Sequence, residues 1–253
     1  MVFFFGVNNH IFSSELNIPR FQNRKNSNLS YNLYEAYIKD NEWKLRCLNE
    51  CELNNDFYRI KKDRINNNNF FFLAKAKDLK KFNKKKIINL NNYTDTEPEF
   101  RANFRIYIKD GGFSSFQSEY PFDMVKKRGT LLSSLSSIAN KNADNNYILI
   151  RNIFEDPIHE KFKAYFVDIK SKKIIETFEI ETNKSNLIKI QNSMIRPEIF
   201  VTTDNYLGIP MYISEKNKHL SFEHTHPPHE YILGENKFKK ILELKKEINE
   251  IIN

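Results

Sequence analysis

Phe100-Arg101-Ala102-Asn103-Phe104-Arg105-Ile106-Tyr107-Ile108-Lys109 decides how this chain reads. Phe100, Ala102, Phe104, Ile106 and Ile108 alternate with Arg101, Asn103, Arg105, Tyr107 and Lys109. Successive side chains of a strand point to opposite faces, so a period of two describes a strand with one apolar and one polar face. Asp110-Gly111-Gly112 follows and predicts a tight hairpin turn, because glycine takes up positive φ without steric cost. Phe113 to Tyr120 is the expected return strand, and Pro121 ends it.

Similar short runs flank this hairpin. Strands are expected at 34–38, 43–48, 57–61 and 70–76 before it, and at 147–154, 161–169, 174–182, 187–190, 198–203, 208–214 and 219–226 after it. Asn, Lys and Ser fill the turns between them. This spacing predicts a mainly β fold, a sandwich- or barrel-like antiparallel domain, rather than βαβ units. Asp78 to Lys86 reads as a short basic helix, and Leu131 to Asn140 as helix or loop. The polar stretch Asn91 to Pro98 is the expected boundary between a β-rich N-terminal subdomain, residues 1–96, and the antiparallel domain, residues 97–253.

The chain closes on a predicted helix over 236–252. Ile241, Leu244, Ile248 and Ile251 fall on one stripe, widened by Phe238, Leu242 and Ile252. Such a stripe packs on the β domain or, less naturally for two heptads, seeds a dimer.

The 253 residues carry 40% hydrophobic and 14% aromatic side chains, which excludes a disordered chain. The net charge of +8 is concentrated between Arg59 and Lys86, where eleven basic residues face only Asp63 and Asp78. Such a segment attracts anions, nucleic acid included, or serves as a solvated edge that discourages strand pairing between chains. Lys outnumbers Arg 30 to 10, so part of the charge reflects A/T-rich codon usage, and weak, sequence-independent nucleic-acid binding is the most to expect. The apolar start, Met1 to Val7, lacks the basic flank and cleavage site of a signal peptide, and no apolar run of membrane-spanning length occurs. Cys47 and Cys51 are the only thiols, too few for a disulfide framework, so a cytoplasmic location is expected.

The segment Ser221-Phe222-Glu223-His224-Thr225-His226-Pro227-Pro228-His229-Glu230 is the unusual one, since four of the six histidines lie between His219 and His229. On a strand, His224 and His226 share a face about 7 Å apart and can converge on one metal ion. Pro227-Pro228 turns the chain, which can return His229 or Glu230 to the same point. His219 lies on the opposite strand face, and His159 is a distant further ligand candidate. Imidazole with carboxylate suits a divalent transition metal, Zn, Fe or Mn, and an open position would activate water. The string His224-x-His226-x3-Glu230 resembles the first metal motif of the cupin family, which carries two histidines and a glutamate on a double-stranded β-helix. The resemblance covers seven residues. The family's flanking glycines are displaced to Gly208 and Gly234, and only a helix follows where its second motif belongs, so the family assignment is not adopted.

The hairpin arm Gly111 to Tyr120 interleaves aromatic and polar side chains. Gln117, Glu119 and Tyr120 are the expected substrate-binding residues, with rings for stacking and amide and carboxylate for hydrogen bonding. A plain hairpin with its polar side in water fits the same pattern. No G-x-S-x-G, P-loop or strand–helix G-x-G-x-x-G occurs, so serine-hydrolase, NTPase and Rossmann chemistry has no support. The expectation is a metal-dependent enzyme acting on a small polar substrate such as a sugar or sugar nucleotide. In it His224, His226 and His229 hold the metal, and Glu230 or His229 acts as general base. The alternative is a non-enzymatic β-sandwich binding module for a glycan or protein partner.

Overall fold

The computed structural model describes residues 2–19, 31–51, 57–87, 102–126, 129–137, 139–224 and 236–253. Within them the first half of the chain forms β1 (Val2–Phe3), β2 (Phe12–Pro19), β3 (Asn32–Lys39), β4 (Glu42–Cys47), β5 (Phe57–Ile60), β6 (Phe70–Ala74), β7 (Asn103–Ile108), β8 (Phe113–Gln117) and β9 (Tyr120–Pro121). The second half forms β10 (Leu132–Ser134), β11 (Asn145–Arg151), β12 (Lys161–Asp168), β13 (Lys173–Glu181), β14 (Ser185–Ile190), β15 (Ile199–Thr203), β16 (Ile209–Lys216), β17 (His219–His224) and the helix α1 (Lys237–Ile252). The fold is mainly β and sandwich-like, with antiparallel pairing throughout these strands and α1 packed on the outside.

Three four-stranded sheets are stacked. The first has the order β5-β2-β7-β8, the second β14-β11-β16-β17 and the third β10-β15-β12-β13. β11 shows why the second lies in the middle. Its Tyr147 and Leu149 belong to the core that holds Phe12, Leu16 and Phe104, while Ile148 and Ile150 belong to the core that holds Phe166 and Val201. Both faces are therefore apolar, and the strand reads as a continuous hydrophobic run. Phe12 meets Tyr147 edge-on at 5.2 Å, and Phe104 meets Phe222 of β17 at 4.9 Å, which fixes the first sheet against the second.

β12 repeats this logic one layer out. Ala164 and Phe166 face the second sheet, whereas Tyr165 and Val167 join Leu132 and Ile248 beneath α1. Ile248 is 1% exposed and Ile241, Leu244, Ile251 and Ile252 pack beside it, so this line of the helix docks on the third sheet, whereas Phe238 and Leu242, expected to widen the stripe, stay exposed. The helix was expected to do so.

The three-stranded sheet β4-β3-β6 and the pair β1-β9 complete the first layer's core. Trp43 of β4 is fully buried and donates its indole N–H to the Glu155 carbonyl at 2.9 Å. The expected division near residue 97 does not separate two sheets. β2 pairs with β7 from Phe12↔Ile108 to Asn17↔Asn103, so one sheet draws strands from both sides of that boundary. The stretch 91–98 itself lies outside the described residues.

Several local expectations change. β2 interrupts the alternation at Ser13 and Ser14, yet Ser14 is fully buried; its hydroxyl accepts from the Val7 N–H at 2.9 Å and donates to the Val7 carbonyl at 2.8 Å. Residues 131–140 contribute the short strand β10, and the basic segment holds a 3₁₀ turn at Asp78–Lys81 in place of a longer helix. At the hairpin turn the positive φ belongs to Asp110, at 55°. Gly111 is required by close approach, because a Cβ there would meet Ile108 Cγ2 at 2.4 Å and the Lys218 carbonyl at 2.9 Å. No helix among the described residues is long and apolar enough to cross a membrane.

Candidate functional site

The solvent side of the first sheet carries an ordered polar and aromatic surface. Pairing across β5, β2, β7 and β8 sets three rows on one face. Arg59, Asn17, Asn103 and Gln117 form the first row. Glu15, Arg105 and Ser115 form the second, and Ser13, Tyr107 and Phe113 the third. The alternation that buries Leu16, Phe104 and Ile106 forces these odd-numbered neighbours outward.

Glu15 organises the face. Its carboxylate accepts hydrogen bonds from Arg59 at 2.7 Å and from the Tyr107 hydroxyl at 3.2 Å. Burial opposes ionisation of Glu15, but the Arg59 hydrogen bond and the charges of Arg59 and Arg105 outweigh it and hold the carboxyl below the usual carboxylate range. Phe113 is 55% exposed, with the Arg105 guanidinium 4.8 Å from its ring centre and the Tyr107 ring at 5.7 Å. An exposed ring backed in this way is preorganised for stacking. The Nε atoms of Arg59 and Arg105 and the Oδ1 of Asn17 are buried without a hydrogen-bond partner. At the Ser13 end a cleft of about 450 Å3 opens, lined by His10, Glu15, Lys62, Tyr107 and Lys109.

Of the residues expected to bind substrate, Gln117 lies on this face. Glu119 is half-buried in the loop after β8. Tyr120 departs from the expectation: it pairs with Phe3 in β9 and is fully buried. Burial pushes its hydroxyl up to about 12, and it belongs to the core rather than to a surface for ligands.

His224 closes β17, paired with Met211. Its ring lies 4.6 Å from that of Phe116 on β8, so the start of the histidine segment meets the polar–aromatic hairpin arm. His224 shares the core-facing side with Phe222, whereas Gln117, one residue beyond Phe116, points to the outer face. His219 begins the same strand, is exposed, and falls on the opposite face from His224 as expected for a regular strand. His226, His229 and Glu230 lie outside the described residues. Among the described residues no three His, Cys, Asp or Glu side chains gather as a metal-binding group. His159 is elsewhere, with Nδ1 3.2 Å from the Thr182 carbonyl.

No protein-family model, curated protein or solved structure matches this chain. The reading of the site therefore rests on its own chemistry.

The basic segment 59–86 does not form a uniform stripe. Arg59 binds Glu15, Arg64 lies 3.6 Å from Glu50, Lys85 lies 3.4 Å from Glu42, and Lys86 reaches Glu155 at 2.9 Å and Asp156 at 3.4 Å. Acids distant in sequence thus neutralise four of its cations, which weakens its field. Cys47 and Cys51 are both free thiols.

The face was partly legible in the sequence. β7 and β8 are plain in the sequence, whereas Glu15 and Asn17 are not singled out there and Arg59 stands only as the start of the basic segment. Their one signal is the alternation of Leu16 and Ile18 with Glu15 and Asn17, and the paired serines 13 and 14 obscure it.

Proposed function

We propose that this protein is a non-enzymatic β-sandwich-like binding module that takes a glycan on the outer face of the β5-β2-β7-β8 sheet. The observation that carries the reading is the exposed Phe113 ring, braced by Arg105 and Tyr107 beside amide and carboxylate groups. Sugars present C–H faces that stack on rings and hydroxyls that bond to amides and acids. Asn17, Asn103 and Gln117 supply the amides, and Glu15 the acid. The cleft at Ser13 and Tyr107 offers room for a ligand at one end of this face. The free thiols fit the reducing cytoplasm as the place of action.

A glycan array probed with the intact protein tests this, with Phe113→Ala as the matched control. Binding to a defined glycan class that Phe113→Ala weakens about tenfold supports the reading. Equal binding by the two proteins, or binding of single-stranded nucleic acid or a protein alone, overturns it.

A second reading is the metal-dependent enzyme acting on a sugar or sugar nucleotide. His224, His226 and His229 would hold Zn, Fe or Mn, and Glu230 or His229 would serve as base. Its support is the histidine-rich sequence together with the seating of His224 on Phe116. Elemental analysis of the purified protein tests it: a stoichiometric transition metal favours it, and none after metal-supplemented refolding removes it.

A further inference from the structure

The outer face of the first sheet is charged as well as aromatic, and its charges do not cancel. Glu15 is answered by Arg59 at 2.7 Å and by the Tyr107 hydroxyl at 3.2 Å. Arg105, the partner of Glu15 across the β2–β7 pair, instead holds its guanidinium 4.8 Å from the Phe113 ring centre. Among the described residues no carboxylate forms an ion pair with Arg105. Its Nε is buried, whereas Nη1 and Nη2 reach the surface without a protein partner among those residues. Beside the exposed ring there is thus a positioned cation with two free donors. Two such N–H groups match the two oxygens of a carboxylate.

The cleft that opens from Tyr107 and Ser13 extends this charge. Lys62 and Lys109 line it, both exposed and both without an ion pair among the described residues. The acids on its wall are Glu15, already held by Arg59, and Asp110. Three uncompensated cations, Arg105, Lys62 and Lys109, therefore face one uncompensated acid. Lys109 lies four residues beyond Arg105, about 13 Å along the chain at strand rise. That spacing suits an extended ligand with repeated negative charge better than a single small anion. Successive nucleic-acid bases need successive exposed rings, and this face offers Phe113 with the half-buried Tyr107 beside it.

We propose that the ligand of this face is an acidic glycan, an oligomer of uronic acid. One sugar ring stacks on Phe113 and its carboxylate accepts from Nη1 and Nη2 of Arg105. The carboxylates of further units meet Lys109 and Lys62 at the cleft. The proposal rests on the glycan reading and adds the charge of the ligand to it.

The test is calorimetric titration of the full chain with tetramers of galacturonic, mannuronic and guluronic acid, each beside its methyl ester. Esterification keeps the sugar ring and removes the charge. At least one acid tetramer is expected to bind about tenfold or more tightly than its ester, as for a charge-assisted pair of hydrogen bonds. That advantage should shrink with added salt. It should fall about tenfold in Arg105→Gln and by less in the double variant Lys62→Ala, Lys109→Ala. Both lysines are exposed, so the double variant decides if Arg105→Gln does not fold. An acid advantage that is unchanged in the double variant overturns the proposal. Equal binding of acid and ester, both weakened by Phe113→Ala, overturns the acidic ligand and leaves the glycan reading standing. So does binding of neutral glycans alone in a Phe113-dependent way. Binding of no glycan of either kind removes both. A sulfated oligosaccharide, or a single-stranded oligonucleotide of equal charge, bound more tightly than every uronate also overturns the assignment.

Discussion

Glu15 on β2 and Arg59 on β5 meet at 2.7 Å across the outer face of the first sheet, 44 residues apart in the chain. This contact sets the charge balance of the face, because Tyr107 donates to the same carboxylate and the charge of Arg105 acts on it. It also has a pH signature. The folded-state pKa of Glu15 is depressed, so its stabilisation is complete above the unfolded value of about 4.3 and is lost as pH falls through the folded value. Glu15→Gln is expected to cost about 1 kcal/mol at neutral pH, the upper end of the scale for a partly exposed ion pair. The cost should shrink as pH falls from the unfolded value toward the lowered folded one, because the unfolded chain then takes up the proton first. Thermal unfolding of both proteins from pH 3 to 7 measures this; a gap that is constant over the range counts against the ion pair.

Phe113 separates binding from stability. Its ring is more than half exposed, so Phe113→Ala should change stability by no more than about 0.5 kcal/mol. Glycan affinity should nevertheless fall by about tenfold, as expected when a stacking ring is removed. Denaturant unfolding and glycan titration of the same preparation give both numbers. A large loss of stability would mark Phe113 as a structural residue.

Ile248 tests the docking of α1. Ile248→Asp puts a carboxylate among Leu132, Tyr165 and Val167 and should cost several kcal/mol. The loss should not vary with protein concentration, because Ile248 is buried within one chain. An unchanged melting temperature would contradict the packing, and a loss that varies with concentration would point to a dimer.

The histidine segment makes a separable prediction. A metal held by His224 and His226 requires neutral imidazoles, so its affinity should fall as pH drops through about 6.5. His224→Ala and His226→Ala should each release it, and His219→Ala should not, since residue 219 faces away from residue 224 on β17. Glu230→Gln loses turnover alone if Glu230 is the base, and metal as well if it is a ligand. Unaltered metal content in both alanine variants would assign the histidines to packing.

The sequence alone determined most of the strands and the helix, because their signals are local. The alternation from Asn103 to Ile108, the stripe through Ile248 and the turn at Asp110 each depend on neighbours a few residues away. β2 escaped because the burial of Ser14 is made possible by Val7, a partner that no periodicity reveals. Tyr120 was misread for a similar reason: its pairing with Phe3 turns it inward, and that pairing joins the two ends of a long stretch of chain.

Only the tertiary structure decided how the strands stack. The run Tyr147-Ile148-Leu149-Ile150 says that both faces of β11 are apolar, but not that one faces Phe12 and the other Phe166. The face assembled from Glu15, Arg59, Arg105 and Phe113 draws on four strands whose order in the sheet is not their order in the chain. Arg151, Asn67 and Ser185 likewise meet from three separate segments. Side-chain period is set by backbone geometry within a strand and can be read from neighbours. Pairing and stacking are set by surface buried between distant segments, and that surface exists only once the chain has folded.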